Sequence, residues 1–318
     1  MGPSPRSALP TFLPMLALLV LAACGGGGNG GSGTTTSSPV QAVASLDPGA
    51  PKATGITATD GFNWMNFRRQ QAGVATVTRN SRLDFAAQGH SDYQRLNDVI
   101  THEQTVGKPG FTGRTTGDRL LAAGYPIPAG GYAYGEVISA TSDRSGFNAA
   151  EDLIAAIYHR FVIFEPIFKE GGAGAATVSG GLTYFTTDFA AIGLDTPAQD
   201  QGKVFAYPYP GQQRVPTNFF SDNEVPDPVP NRNEVGYPVS IHAFLGTTLT
   251  VQSFTIQPRG EGAMPVQLLK HDSDPQTPES AVAIIPLSVL KPGTVYDVQF
   301  AGSVNGAGLT RSWSFTTQ

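Results

Sequence analysis

Two histidines and a glutamate are the residues of this sequence whose chemistry could define a site. His102 follows a helical pattern, and Glu136 follows an aromatic pair. His159 lies in an apolar segment. Two imidazoles and one carboxylate can bind Zn²⁺ with a fourth position open for water, and zinc lowers the pKa of that water enough to make a nucleophile. A metal-dependent hydrolase is therefore one hypothesis.

The spacing of these residues differs from that of a preformed zinc motif. Zinc-protease helices carry two histidines at i and i+4, whereas His102, Glu136 and His159 lie far apart. The segment His102–Val106 begins like such a motif but lacks the second histidine. No nucleophile elbow, phosphate loop or dinucleotide fingerprint is present in the sequence. From the residues alone we favour a polar cluster whose mutual hydrogen bonds hold a loop to a helix.

Helical patterns surround the three candidates. Asn80 or Ser81 can cap a helix whose apolar positions recur every three or four residues up to Asn97. His90 lies on the inward stripe of this helix, where a histidine is more often a hydrogen-bonded core residue than a ligand. Capping and termination signals predict further helices over residues 60–73, 115–124 and 148–161. Alternating residues at 183–186 and 204–207 then predict strands.

The composition is typical of an exported protein rich in turns. Only 14% of the 318 residues are charged, while 38 are Gly and 25 are Pro, and this length has room for about two domains. The net charge of -5 offers no basic patch for phosphates, so we expect no nucleic-acid partner. A single cysteine excludes an intramolecular disulfide.

The N-terminus has the layout of a lipoprotein signal peptide. An apolar run over residues 12–20 is shorter than the roughly 20 residues that span a bilayer. The next residues, Leu21-Ala22-Ala23-Cys24, resemble a bacterial lipobox, which implies cleavage after residue 23 and lipidation of Cys24. We therefore expect a signal peptide over 1–23 and a flexible, lipidated Gly/Ser/Thr tether over 24–58. More than one acyl chain would anchor the protein to a bacterial membrane, at the outer membrane or the cell surface.

Residues 59–209 resemble the CAP superfamily, the SCP-like extracellular domains, and its bacterial branch most. The similarity rests on an ordered set of motifs: Asn66-x-x-Arg69, Leu83 through His90, Asn97 through His102, Arg119 with Ala123-Gly124-Tyr125, Gly135-Glu136, His159-Arg160, and Tyr184-Phe185-Thr186-Thr187. The resemblance implies an α-β-α sandwich around a mainly antiparallel sheet. It also implies a cleft that holds two histidines and two glutamates in many members and binds a divalent metal in some.

The resemblance assigns roles to particular residues. His102 matches the first family histidine and Glu136 the glutamate of the Gly-Glu motif, so these two are the implied ligands of a metal such as zinc. Tyr184 stands where the family has its second histidine. Glu151 or Asp152 would supply the second glutamate and would line the cleft with Tyr184. His159-Arg160 resembles the bacterial Ser-Pro-Gly-His-Arg segment without its Ser-Pro-Gly, so His159 joins His102 and Glu136 as a candidate catalytic residue.

The second half of the chain has a different character. Residues 210–236 are dense in proline and predict an extended connector. Over 237–318 apolar residues alternate with a period of two, which predicts an all-β sandwich. The segments Leu290–Tyr296 and Trp313–Thr317 resemble bacterial Ig-like domains. The predicted fold class is therefore α+β, a CAP-type α-β-α sandwich followed by an Ig-like β-sandwich.

Together these patterns predict a membrane-anchored protein of the cell envelope. We expect it to bind an unknown protein or small ligand in the cleft around His102 and Glu136 without turning it over. Two alternatives stay open at this point. One is the metal-dependent hydrolase, for example a protease, that uses His102, Glu136 and His159. The other is a structural spacer or adhesion protein.

Overall fold

The computed structural model describes residues 47–195, 200 and 202–318. The predicted signal peptide, Cys24 and the tether up to residue 46 lie outside the described residues. In the described part of the chain, no helix has the length and apolarity that a membrane span requires. Within the tether predicted over 24–58, Oδ2 of Asp47 lies 2.8 Å from Nη1 of Arg68 on α1 (Thr57–Gln71).

Five α-helices lie in the described residues, all before residue 164. Their bounds are α1 Thr57–Gln71, α2 Ser81–Asn97, α3 Thr116–Ala122, α4 Gly146–Ala155 and α5 Ile157–Ile163. Asn80 caps α2, because its side-chain oxygen accepts from the N–H of Arg82 at 2.9 Å. The helix predicted over 148–161 is two helices, since Ala156 between α4 and α5 has extended backbone. The break leaves the Ile154 carbonyl free to accept from Nε of Arg160 at 2.6 Å.

A four-stranded sheet lies between the helices. Its strands are β1 Thr78–Arg79, β2 Tyr132–Thr141, β3 Glu170–Thr177 and β4 Thr183–Ile192, in the order β1-β3-β4-β2. All pairs are antiparallel except the short β1–β3 pair. Apolar side chains of β2 and β4 such as Val137 and Phe189 share a core with α1, α4 and α5 on one face. Helices α2 and α3 pack on the other face through Leu83, Leu120 and Ala190.

Glycines on β3 let α2 lie directly on the sheet. A Cβ added at Gly172 would be 2.2 Å from the backbone nitrogen of Asp84, and one at Gly174 would be 2.2 Å from Cα of Gln88. Helix α2 also provides hydrogen-bond acceptors for the part of the β3 edge that extends beyond β1. Side chains of Asp84 and Gln88 accept from the N–H groups of Ala173 and Ala175 at 2.9 and 3.1 Å. Most of the glycine-rich segment 171–181 therefore belongs to β3.

The close contact between α2 and β3 leads to a first prediction. Gly174→Ala should lower the free energy of unfolding by about 1–3 kcal/mol, because the new methyl group meets backbone atoms that cannot rotate away. Gly308→Ala is the matched control, since Gly308 is also in a strand and has open space around its Cβ position. Urea denaturation of both variants measures the difference. Equal effects of the two substitutions would show that α2 is not held against β3 as described.

The C-terminal region is built from nine β-strands among the described residues. They are β5 Phe205–Tyr207, β6 Asn218–Phe220, β7 Glu234–Gly236, β8 Val239–His242, β9 Leu249–Pro258, β10 Val266–Leu269, β11 Ala281–Pro286, β12 Val295–Val304 and β13 Ala307–Thr316. They form antiparallel sheets in the orders β10-β11-β8-β5, β13-β12-β9 and β6-β7. Strand β5 falls within the predicted first domain, 59–209, but pairs with β8 of the C-terminal region.

The two parts of the chain share a continuous apolar core. It runs from Trp64 on α1 to Phe315 on β13. Arg160 crosses the boundary: its Nη1 donates to the carbonyl of Pro238 at 2.6 Å, and its guanidinium lies 5.0 Å from the ring of Tyr207 and 4.8 Å from that of Tyr237. The two parts of the chain are therefore packed directly against each other.

Candidate functional site

The end of α2 directs the following loop back over the sheet. Asp98 caps the helix in the left-handed conformation (φ 50°, ψ 52°), and its N–H donates to the carbonyl of Gln94. The chain then crosses toward β2. Gln104 fixes the loop from the far side, since its backbone N–H donates to the Arg114 carbonyl at 2.9 Å. His102 is thereby placed beside the middle of β2.

Glu136 is the centre of the cluster. It lies on β2 with 2% of its surface exposed, and both carboxylate oxygens are engaged. Oε1 accepts from Nδ1 of His102 at 2.8 Å and from the hydroxyl of Thr116 at 3.3 Å, and Oε2 accepts from Nη2 of Arg119 at 2.6 Å. Arg119 also donates to the His102 carbonyl at 2.9 Å. One arginine therefore holds both the glutamate and the loop that carries the histidine.

Electrostatics set the protonation of this cluster. Burial alone would raise the pKa of Glu136, but the guanidinium of Arg119 and the hydrogen bond from His102 outweigh it and hold the pKa well below its usual range. Because the carboxylate can only accept, Nδ1 of His102 carries the proton. In the neutral imidazole Nε2 is then an acceptor. That atom is buried and has no hydrogen-bond partner among the described residues, while 13% of the side chain is exposed.

His90 supports the loop and has no free nitrogen. Its Nε2 lies 2.7 Å from the carbonyl of Thr101, and its Nδ1 accepts from the amide nitrogen of Gln104 at 2.9 Å. The Gln104 amide is oriented by the N–H of Thr112, which donates to its oxygen at 2.7 Å. Burial lowers the pKa of His90 to about 4, so the ring is neutral at physiological pH. As expected for its stripe on α2, His90 is a hydrogen-bonded core residue.

Asp188 belongs to the cluster and is missed by sequence reasoning. It stands directly opposite Glu136 in the β2–β4 register and is fully buried. Neither of its oxygens has a donor among the described residues. Burial, together with the charge of Glu136, raises the pKa of Asp188 well above its usual range, which favours the neutral acid. An acidic residue inside an otherwise buried strand pattern was the only available signal.

The raised pKa of Asp188 leads to a second prediction, which concerns how the stability of the protein depends on pH. The folded state raises the pKa of Asp188 above its unfolded value near 3.8, so the unfolded chain loses this proton first and the stability of the protein falls as pH rises. Asp188→Asn keeps a donor without a titratable proton. The variant should therefore gain stability relative to wild type between pH 4 and pH 8, as measured by urea denaturation at both values. A stability difference that does not change with pH would contradict a neutral Asp188.

Three residues predicted to line the cleft lie elsewhere. The hydroxyl of Tyr184 donates to Oδ1 of Asp98 at 3.0 Å, where it supports the end of α2. Glu151 accepts from Nε1 of Trp64 at 2.7 Å and pairs with Arg68. Asp152 is exposed on α4. For Glu151 and Asp152 the reason is the face of the sheet, because α4 packs on the side opposite His102. Tyr184 shares the sheet face of Asp188 but lies four residues away from it along β4.

His159 is also separate from the His102–Glu136 pair. Its Nδ1 donates to Oε1 of Glu224 at 3.0 Å, and Glu224 also accepts from three backbone N–H groups at the start of α5. Both side chains are buried. The predicted set of three catalytic residues is therefore not brought together, because His159 is engaged by a residue of the connector.

The residues present do not fit a zinc centre. Zinc needs three or four nitrogen, sulfur or oxygen ligands, and His102 and Glu136 are two. Both nitrogens of His90 are engaged, and Arg119 competes for Glu136. Over residues 47–195, 200 and 202–318, no group of three or more His, Cys, Asp or Glu side chains is arranged to hold a metal ion. The implied metal role of His102 and Glu136 is therefore not supported.

Helices on both faces of a sheet, with a buried histidine–glutamate–arginine cluster on one face, define a layered α and β domain with a polar site. Residues 62–189 match the model of the family described as CAP, the cysteine-rich secretory protein family. A β-rich region with several antiparallel sheets follows the matched residues. The matched residues lie within the range 59–209 over which the sequence resembles this family.

Several solved structures are similar to the chain. One is an extracellular protein containing an SCP domain from Bacillus anthracis str. Ames, with 22% identity, a TM-score of 0.34 and coverage of 42% of this chain and 39% of that one. An outer surface protein from Borrelia burgdorferi has 11% identity, a TM-score of 0.35 and coverage of 41% and 89%. A venom allergen-like protein from Schistosoma mansoni has 10% identity, a TM-score of 0.30 and coverage of 46% and 92%. No curated protein matches the sequence.

Proposed function

We propose that this chain is an extracytoplasmic binding protein whose CAP domain holds a ligand at His102. One observation carries the proposal: Nε2 of His102 is an acceptor with no partner among the described residues, whereas Glu136 and His90 beside it are fully hydrogen-bonded. A buried acceptor without a partner costs free energy. A ligand that donates a hydrogen bond to Nε2 would recover it.

Binding without turnover is favoured over hydrolysis by the same contacts. The hydrolase hypothesis requires His102, Glu136 and His159 to act together, and His159 contacts Glu224 instead. The carboxylate of Glu136 is neutralised by Arg119 and is therefore a poor general base. Its role is to fix the tautomer and orientation of the imidazole.

The proposal is tested by nitrogen NMR of the histidine side chains. Small neutral hydrogen-bond donors, for example phenol and simple alcohols, should shift the Nε2 resonance of His102. His271 is an internal control, because its side chain is 49% exposed and lies outside the CAP domain. A donor panel that never shifts His102 more than His271 would exclude a ligand site at His102.

We also propose that the protein is lipid-anchored through Cys24 and that the C-terminal sheets form an Ig-like sandwich. The lipobox-like Leu21-Ala22-Ala23-Cys24 supports the anchor. Two antiparallel sheets that share one core, with Ile241 from one and Trp313 from the other, support the sandwich. Mass spectrometry of the mature protein tests the anchor: a diacylglyceryl mass on Cys24 is expected, and an unmodified cysteine would exclude it.

A further inference from the structure

We infer that the ligand of the His102 site is a neutral oligosaccharide, an inference that rests on the proposed function. Tyr132 and Tyr134 are both half-buried on β2. Their rings are nearly parallel, with centroids 6.0 Å apart and planes 10° from each other. Alternate residues of a strand share a face, so both rings stand on the face that carries Glu136. The two tyrosines form an aromatic platform that leads to the polar cluster.

The start of α3 joins this platform to the cluster. A Cβ added at Gly117 would lie 2.8 Å from the hydroxyl of Tyr134, so a larger residue there would displace the tyrosine hydroxyl. The neighbouring Thr116 donates to Glu136, which holds His102. The phenol of Tyr134 is thus next to the residues that orient the imidazole. In the inferred complex, a ligand lying on the two rings meets at one end the 13% of the His102 side chain that is exposed.

The charges around the site select a neutral ligand. Arg119 is buried and paired with Glu136 at 2.6 Å. Arg114 lies 3.5 Å from Glu103. Asp118, which is exposed, adds negative charge near Tyr134. An anionic ligand would meet no unpaired arginine of this group and would be repelled by the aspartate.

Aromatic rings, a phenol and an imidazole acceptor together match the chemistry of sugars. The C–H groups on one side of a pyranose ring pack against an aromatic face through weak contacts. Its hydroxyl groups donate to nitrogen and accept from the phenol. Tyrosine combines an apolar ring with a polar tip and so suits a ligand with both kinds of surface. A short peptide offers fewer hydrogen-bond donors in one plane than a sugar does, which favours the oligosaccharide.

The experiment titrates the full chain with chitotriose and follows the backbone amides of β2 by NMR. Chitotriose should shift residues 132–136 together with the Nε2 resonance of His102. Tyr132→Ala should weaken binding about fivefold and Tyr134→Phe about threefold, within the range of single aromatic and hydrogen-bond contributions. Phe220→Ala is the matched control, because Phe220 is an aromatic residue with 44% exposure in the C-terminal region. Its affinity should equal that of wild type.

Three probes separate the outcomes. Binding of trigalacturonate as tight as that of chitotriose would overturn the neutral class. Binding of a Gly-Ser-Gly peptide, with no binding of chitotriose or maltotriose, would overturn the sugar and indicate a peptide site. If neither sugar binds while small donors still shift His102, the oligosaccharide inference fails and the proposed binding function stands. Unchanged chitotriose affinity in Tyr132→Ala would exclude the aromatic platform.

Discussion

Glu136→Ala should lower the free energy of unfolding by about 3–5 kcal/mol, because it leaves Arg119 buried without its counter-ion. Arg119 is 1% exposed, so its guanidinium cannot be rehydrated without opening the domain. Nδ1 of His102 loses its acceptor at the same time. The loop that carries His102 should therefore lose protection from hydrogen exchange along with the loss of global stability.

Two controls identify the cause of this effect. Glu103→Ala removes a carboxylate from an exposed pair with Arg114 at 3.5 Å, and should change stability by less than about 1 kcal/mol. Adding Arg119→Met to Glu136→Ala removes the uncompensated charge and should recover a large part of the loss. If the double variant is no more stable than Glu136→Ala, the cost comes from packing and not from the buried charge.

Motif order predicted the centre of the site but not its surroundings. His102 and Glu136 were recognisable because each belongs to a short local motif, and β2 brings them to 2.8 Å. Asp188 joins them only through the register of β2 and β4, which depends on how the whole sheet assembles. No local sequence pattern determines the register of β2 and β4. The same holds for Gly172 and Gly174, whose role depends on α2 approaching from another part of the chain.

Three predicted site residues lie apart from the His102–Glu136 pair for one physical reason. Tyr184, Glu151 and His159 were assigned by their positions in family motifs, and each has a partner distant in sequence. Tyr184 contacts Asp98, 86 residues away, and His159 contacts Glu224, 65 residues away. A side chain that is held by a partner of its own is not free to line a cleft. Sequence motifs report the types of residues but not these pairings.

Glu224 is the clearest example of a pairing between residues distant in sequence. Its removal should have the second large effect on the stability of the protein. Helix α5 begins at Ile157 after Ala156, whose side chain cannot cap it. The carboxylate of Glu224 takes that place and accepts from the N–H groups of Ile157, Tyr158 and His159 at 2.8, 2.7 and 3.2 Å. A negative charge at this end also complements the helix dipole. The connector therefore completes a helix of the region that matches the CAP family model.

Glu224→Ala should lower the free energy of unfolding by about 3–5 kcal/mol, because it leaves three buried N–H groups and the imidazole of His159 without an acceptor. Glu224→Gln keeps one carbonyl oxygen and should lose less. Glu234→Ala is the matched control, since this exposed glutamate of β7 pairs only with Asn218 at 2.8 Å, and its effect should stay below about 1 kcal/mol.

Hydrogen exchange separates this role from a general loss of packing. If Glu224 caps α5, the amides of residues 157–160 should lose protection first in Glu224→Ala, ahead of those in α2. Because Arg160 in this helix also binds the carbonyl of Pro238, opening of α5 should loosen the C-terminal sheets, and both parts of the chain should unfold in one transition at lower denaturant. Loss of protection that is uniform along the chain, or a C-terminal region that keeps the stability of wild type, would show that the connector does not couple the two parts.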